Sequence, residues 1–139
     1  MVEKEINTNT KGNIALGKAI SYFTEQNYII SIPLNDSQWY DLIIEKEGIF
    51  QTVQVKYTSE KHYDNSYSCS LRTTSGTSRK KLYSVVETPV DFLFCYCDNG
   101  WTFNIPVKEI KNKTTISLFE EKSKYANKDI LDVSIYKIN

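Results

Sequence analysis

Apolar and polar residues recur along the chain with two periods, and the changes of period divide it into elements. After a polar arm, Leu16, Ala19, Ile20 and Phe23 fall at helical spacing. This predicts a core-facing amphipathic helix over 11–27, capped by Asn9 or Thr10 and ended by Asn27 in the left-handed conformation. Tyr28-Ile29-Ile30-Ser31-Ile32 then reads as a strand stopped by Pro33. Two runs, 40–45 and 49–56, flank a short polar segment with Gly48 and predict a β-hairpin.

Further on, Ser66, Ser68 and Ser70 alternate with Tyr67, Cys69 and Leu71, the period-two pattern of a half-exposed strand. A Ser/Thr-rich loop follows, and then a basic stretch expected to open a short helix around Arg79 to Val86. Residues 91–97 are nearly all apolar, as in a central strand covered on both faces, and Asp98-Asn99-Gly100-Trp101 turns the chain back into 102–105. Pro106 can start a short helix over 107–110, while 114–118 and 133–138 read as peripheral strands. The order describes an α/β fold on a mixed sheet. With 139 residues, the whole chain, 1–139, is expected to form a single domain.

Composition narrows the function classes. At 40% hydrophobic and 13% aromatic residues the chain is too apolar to stay disordered. No run approaches the roughly 18 apolar residues of a membrane span, and Met1-Val2-Glu3-Lys4-Glu5 lacks the plan of a secretory signal, so a cytoplasmic, membrane-free protein is expected. Three Cys and one His argue for buried free thiols, against a disulfide framework or a zinc site, and against a Cys-His nucleophile.

The 17 basic and 17 acidic residues balance, so total charge does not announce a nucleic acid. Its distribution says more. From Ser66 to Val86 the chain carries Arg72, Arg79, Lys80 and Lys81 and no carboxylate, with eight Ser/Thr hydroxyls between Ser66 and Ser78. That stretch is either a phosphate-facing strip or a solvated surface.

The hairpin concentrates the candidate chemistry. If Glu47-Gly48 is a two-residue turn, Asp41 lies opposite Gln54, and Lys56 shares their face of the sheet. One carboxylate, one amide and one ammonium then gather within about 5–8 Å. A longer turn would shift that register. Such a polar triplet among Val and Ile needs partners. An Asp41–Lys56 ion pair with Gln54 hydrogen-bonded to a neighbour would supply them, and so would a catalytic site.

Three segments carry a more specific signal: Lys11-Gly12-Asn13-Ile14-Ala15, the stretch 32–43 with Trp39-Tyr40-Asp41-Leu42-Ile43, and Thr52-Val53-Gln54-Val55-Lys56. In order and spacing they resemble the PD-(D/E)XK nuclease superfamily, and within it the small bacterial endonucleases associated with group I introns. The resemblance implies a restriction-endonuclease-like core, a mixed sheet flanked by helices. It places Asp41 at the motif's Asp, Gln54 at the usual Asp or Glu, and Lys56 at the motif Lys. Tyr40 stands where the Pro would be. Many relatives carry a Glu on the first helix where this chain has Leu16, which leaves Asp41 as the firm carboxylate and puts a full two-metal arrangement in doubt.

By the same resemblance the activity would be phosphodiester hydrolysis in double-stranded DNA, most simply as a homing-type enzyme. Mg²⁺, or Mn²⁺ in its place, would be held by Asp41, Gln54 and the Val55 carbonyl. Lys56 would act on the attacking water and the phosphate. Lys11 and Asn13 would join Arg72, Arg79, Lys80 and Lys81 as DNA contacts. A junction-resolving or repair nuclease, a catalytically silent DNA-binding module and a protein-partner scaffold are the alternatives. A double-strand break requires two such centres, so a homodimer or homotetramer is expected, with Ile116, Leu118, Phe119, Tyr125, Ile130 and Leu131 as the candidate association surface, unless they close the core.

Overall fold

The structure, a computed structural model, describes residues 5–35, 38–74, 82–124, 126 and 128–139. Asn7, not Asn9 or Thr10, caps the helix: its Oδ1 accepts from the Thr10 amide at 2.9 Å, and Lys11 N donates to Asn7 O to close the first turn. Helix α1 therefore runs Thr8–Glu25, starting earlier than the apolar period alone indicates. Ala15, Ala19 and Phe23, four residues apart, form its buried stripe. Asn27 ends this segment at φ 66°, the left-handed conformation its short amide side chain tolerates.

The main sheet has the order β1-β2-β3-β7-β8, built from β1 (Ile29–Ser31), β2 (Leu42–Lys46), β3 (Ile49–Thr58), β7 (Phe92–Cys97) and β8 (Thr102–Pro106). Only the β3–β7 pair is parallel; its neighbours are antiparallel. Glu47 and Gly48 both have positive φ, 53° and 79°, the signature of a two-residue hairpin turn. That turn sets Lys46 opposite Ile49 and Leu42 opposite Val53, the register expected from the sequence. The sheet's middle strand is β3; β7, read from its composition as the central strand, lies between β3 and β8.

Period-two alternation splits the core in two. Leu42, Ile44, Val53 and Phe94 turn to one face and pack under Ala19 and Phe23 of α1. Each fully buried Leu, Ile, Val or Phe side chain there is worth about 1.5–3 kcal/mol of burial. Leu93, Cys95, Cys97, Phe103 and Ile105 turn to the other face, where they meet Tyr67, Cys69, Leu71, Ile116, Leu118 and Val133. That second face is covered by a small antiparallel pair, β4 (Tyr67–Ser70) with β9 (Thr115–Leu118), rather than by helices. Beside it β5 (Arg72–Thr74) and β6 (Leu82–Ser84) form a two-stranded ribbon.

Three expectations need correction. Where the helix around Arg79 to Val86 falls on described residues, it is strand β6 followed by a 3-10 turn, Val85–Glu87. Ser84 caps that turn through its hydroxyl, and β-branched Val85 and Val86 disfavour a longer helix. The strand expected over 133–138 is a 3-10 turn, Val133–Tyr136, because the Asp132 carboxylate accepts from Ser134 N at 3.1 Å and bends the chain locally; the chain meets the sheet after the turn, where Lys137 lies opposite Phe103 and Ile138 N donates to Thr102 O at 2.8 Å. Ile116 and Leu118 are buried, and Phe119 and Leu131 pack on the same core, so most of the proposed association surface closes the fold instead; Ile130 is exposed, and Tyr125 lies outside the described residues.

Candidate active site

The site is built on the β2–β3 hairpin. Asp41 precedes β2, and its amide donates to Val53 O at 2.8 Å, which continues the ladder one step past Leu42. Gln54 projects on the same face and donates through Nε2 to Asp41 Oδ2 at 2.9 Å. The Val55 amide donates to the same oxygen at 2.7 Å. Strand β1 ends at Ser31, opposite Ile43, so no β1 residue pairs beside Asp41. Both hairpin strands are interior to the sheet, so the site lies on a sheet face beyond the end of β1 and not along the sheet's outer edge.

Lys56 is two residues beyond Gln54 and therefore on its face. The structure does not pair its ammonium with Asp41: Lys56 Nζ donates to the Arg72 carbonyl at 2.6 Å, tying β3 to the β5–β6 ribbon. The Lys56 charge still reaches the carboxylate and lowers its pKa, as does the Val55 amide. Burial outweighs both, and Asp41 titrates above the ordinary aspartate value. Next to Lys56 across the sheet is Cys95, whose thiol donates to Cys69 at 3.7 Å; the two form the buried floor on that side.

The oxygen chemistry fits a hard divalent cation. Gln54 Nε2 bridges Asp41 Oδ2 at 2.9 Å and the Val55 carbonyl at 3.4 Å, so a partly positive amide group sits between two oxygens of the kind Mg²⁺ takes. Turning the amide over would present Gln54 Oε1 to the same spot and complete three protein oxygens. Among the described residues no cluster of three or more His, Cys, Asp or Glu could hold a metal. Asp41 therefore contributes the one carboxylate of this set. Leu16 is half-buried on the α1 side, packed against the helix–sheet core, and supplies no oxygen.

A family model described as PD-(D/E)XK endonuclease matches residues 6–139. The chain belongs to that family. Among solved structures it is similar to the bacterial homing endonuclease I-Ssp6803I, at 25% identity and a TM-score of 0.69 over 94% of this chain and 87% of that one. No curated protein matches it. Membership makes the chain a nuclease, and its mixed five-stranded sheet packed under helix α1 is a restriction-endonuclease-like fold.

Of the remaining residues singled out in this PD-(D/E)XK chain, the described ones lie on helix α1 and strand β5. Lys11, half-buried in α1, holds its ammonium 5.9 Å from the Tyr57 ring, and Asn13 is exposed on the same helix. Arg72 is exposed and lends its carbonyl to Lys56. Arg79, Lys80 and Lys81 lie outside the described residues. Sequence reasoning missed two features. Asp91 accepts from the Thr52 amide at 2.9 Å and from its hydroxyl at 3.4 Å, fastening the start of β7 to β3. Trp39, two residues before Asp41, meets Tyr83 of β6 edge to face with ring centroids 6.3 Å apart. Only the position of Asp91 just ahead of a buried strand could have drawn attention to it; nothing local pairs Trp39 with Tyr83.

Proposed function

We propose that this nuclease is a Mg²⁺-dependent endonuclease that hydrolyses phosphodiester bonds in duplex DNA, with homing-type, site-specific cleavage as its leading form. The observation that carries this reading is the meeting of the Asp41 carboxylate, the Gln54 amide and the Val55 amide, with Lys56 on the same face, in a chain of an endonuclease family. Buried free thiols suit a reducing cytoplasm as its place of action.

Asp41, the Val55 carbonyl and the Gln54 side-chain oxygen would hold the cation, Mg²⁺ or Mn²⁺, which when bound polarises the scissile phosphate and offsets charge developing there. Asp41 is kept in place by the Val55 amide, so its position does not depend on the cation. Lys56 has a flexible four-carbon stem, and release from the Arg72 carbonyl would let its ammonium orient the attacking water and stabilise the pentacoordinate phosphate. No covalent intermediate on the protein is required.

One observation favours a second reading, a catalytically silent DNA-binding module: with Gln54 neutral and Leu16 apolar, the oxygen set holds one carboxylate. Supercoiled plasmid incubated with Mg²⁺ or Mn²⁺, beside an EDTA control and Lys56→Ala, separates the two. Metal-dependent nicking that Lys56→Ala abolishes supports the enzyme. Retardation of DNA without nicking supports the silent module.

Each chain carries one such centre, and one centre cuts one strand, so a coordinated double-strand break requires a homodimer or homotetramer with two-fold symmetry. The exposed Ile29, Ile49 and Phe50 of β1 and the hairpin offer a better association surface than the buried late segment. Light scattering should return a multiple of the 16.1 kDa chain mass; a monomer with and without DNA would remove the oligomer.

A further inference from the structure

The loop from β1 to Asp41 holds apolar side chains in water. Ile32 is 57% exposed, Leu34 fully so, and Trp39 38%. Trp39 is two peptide units from Asp41, which limits their Cα separation to about 7.6 Å. Its ring partner Tyr83 belongs to the ribbon that holds Lys56. Ser84, next to Tyr83, pairs with Arg72, and the Arg72 carbonyl accepts from Lys56. The aromatic pair thus links the chain entering at Asp41 to the ribbon that anchors Lys56. Among the described residues neither ring belongs to the two hydrophobic cores, whereas Tyr22, Phe23, Tyr67 and Trp101 do or pack against them.

We propose that Trp39, braced edge-on by Tyr83, is a base-stacking subsite that receives a base displaced from the helix beside the scissile phosphate. Two physical arguments carry this. An indole held edge to face, at 73°, by a neighbouring ring is fixed in orientation and keeps a face for a second flat partner. A base within a duplex has both faces covered by its neighbours, so such an indole can stack only on a base that is unpaired or turned out. A stacked base contributes to binding whatever its identity, so the subsite selects for local distortion of the duplex and not for sequence.

The inference rests on the DNA-cleaving reading, and the test keeps the two apart. The probes are two duplexes of equal length, one fully paired and one with a single unpaired base, bound in Ca²⁺. Trp39→Ala should weaken binding of the second about tenfold, within the range for one lost base stack. It should leave the fully paired duplex within about twofold, and Trp39→Phe should restore most of the loss. In a Trp101→Phe background, where Trp39 is the remaining tryptophan, the duplex with the unpaired base should quench the emission more than the paired one. Equal losses on both duplexes, no loss on either, or a change in stability alone would reduce the pair to a brace and overturn the subsite while plasmid nicking stands. Failure to bind or nick any DNA would overturn both readings together.

Discussion

Asp41 gives the sharpest test, because its chemical and structural roles can be separated by two substitutions. Asp41→Asn keeps an oxygen where Val55 N donates at 2.7 Å; Asp41→Ala leaves that amide without its acceptor and Gln54 Nε2 with the longer bond to the Val55 carbonyl alone. An unmade hydrogen bond at a buried group costs about 1–3 kcal/mol, so the Ala variant should be less stable than the Asn variant by about that much. The comparison with wild type depends on pH, and its sign follows from the raised Asp41 pKa. The native state holds this proton more tightly than the unfolded chain, whose value is about 3.9. Stability is therefore fully retained below the unfolded value and falls as pH rises through the higher native one. Asp41→Asn lacks that loss, so it should gain on wild type between acid and neutral pH in the absence of metal.

Adding Mg²⁺ should reverse the order. A cation at ten times its dissociation constant stabilises the native state by about 1.4 kcal/mol, and only a chain with the carboxylate receives that. Urea melts followed by tryptophan fluorescence at several pH values, with and without Mg²⁺, measure all three differences, and plasmid nicking measures activity. Neither substitution should cut. Parallel stability curves for wild type and Asp41→Asn from about pH 3 to 7, a window that spans the unfolded value, or nicking by either variant, would refute the role given to this carboxylate.

Lys56→Ala should lose cleavage while keeping DNA retardation, since under the proposed mechanism the ammonium would serve the transition state, and its removal breaks one hydrogen bond to the main chain. Retention of wild-type nicking would exclude that role. Gln54→Glu should tighten Mg²⁺ binding, read by calorimetry, because it adds a second carboxylate next to the first; unchanged affinity would place the cation elsewhere. Arg72→Ala, alone and with Arg79, Lys80 and Lys81 also changed to Ala, should weaken binding to all DNA sequences and flatten its salt dependence by roughly one unit of slope for each phosphate no longer neutralised; an unchanged slope would free the strip from that role.

The hairpin was legible in the sequence because two local rules determine it. A two-residue turn sets the register, and alternation then dictates which side chains share a face, so the encounter of Asp41 with Gln54 needed no long-range information. The buried strand β7 was legible from its unbroken apolar run. Element ends were not, because they depend on which of several capping side chains closes first, as Asn7 does ahead of Asn9 and Thr10. The last segment was misread for a related reason: Val133-Ser134-Ile135-Tyr136 has strand composition, but a strand needs a partner, and the Asp132 carboxylate bends it before one is met. The bond from Lys56 to the Arg72 carbonyl and the Trp39–Tyr83 pairing were invisible, since both join segments whose proximity the whole fold decides.

The single carboxylate shapes how cation and DNA would depend on each other. A divalent ion beside Asp41 alone leaves the site with one net positive charge, and Lys56 adds another; two carboxylates would have brought the ion to neutrality. Such a site holds the cation weakly by itself and attracts phosphate strongly once the cation is in place. Coupling of this kind is reciprocal, so DNA must raise cation affinity by the factor by which the cation raises DNA affinity. Gln54→Glu, by neutralising the excess, would bind the cation better alone and gain less from DNA. On the proposed mechanism, the Gln at this position would make loading of the metal contingent on the substrate, which would restrain the nuclease from acting where no phosphate is correctly seated.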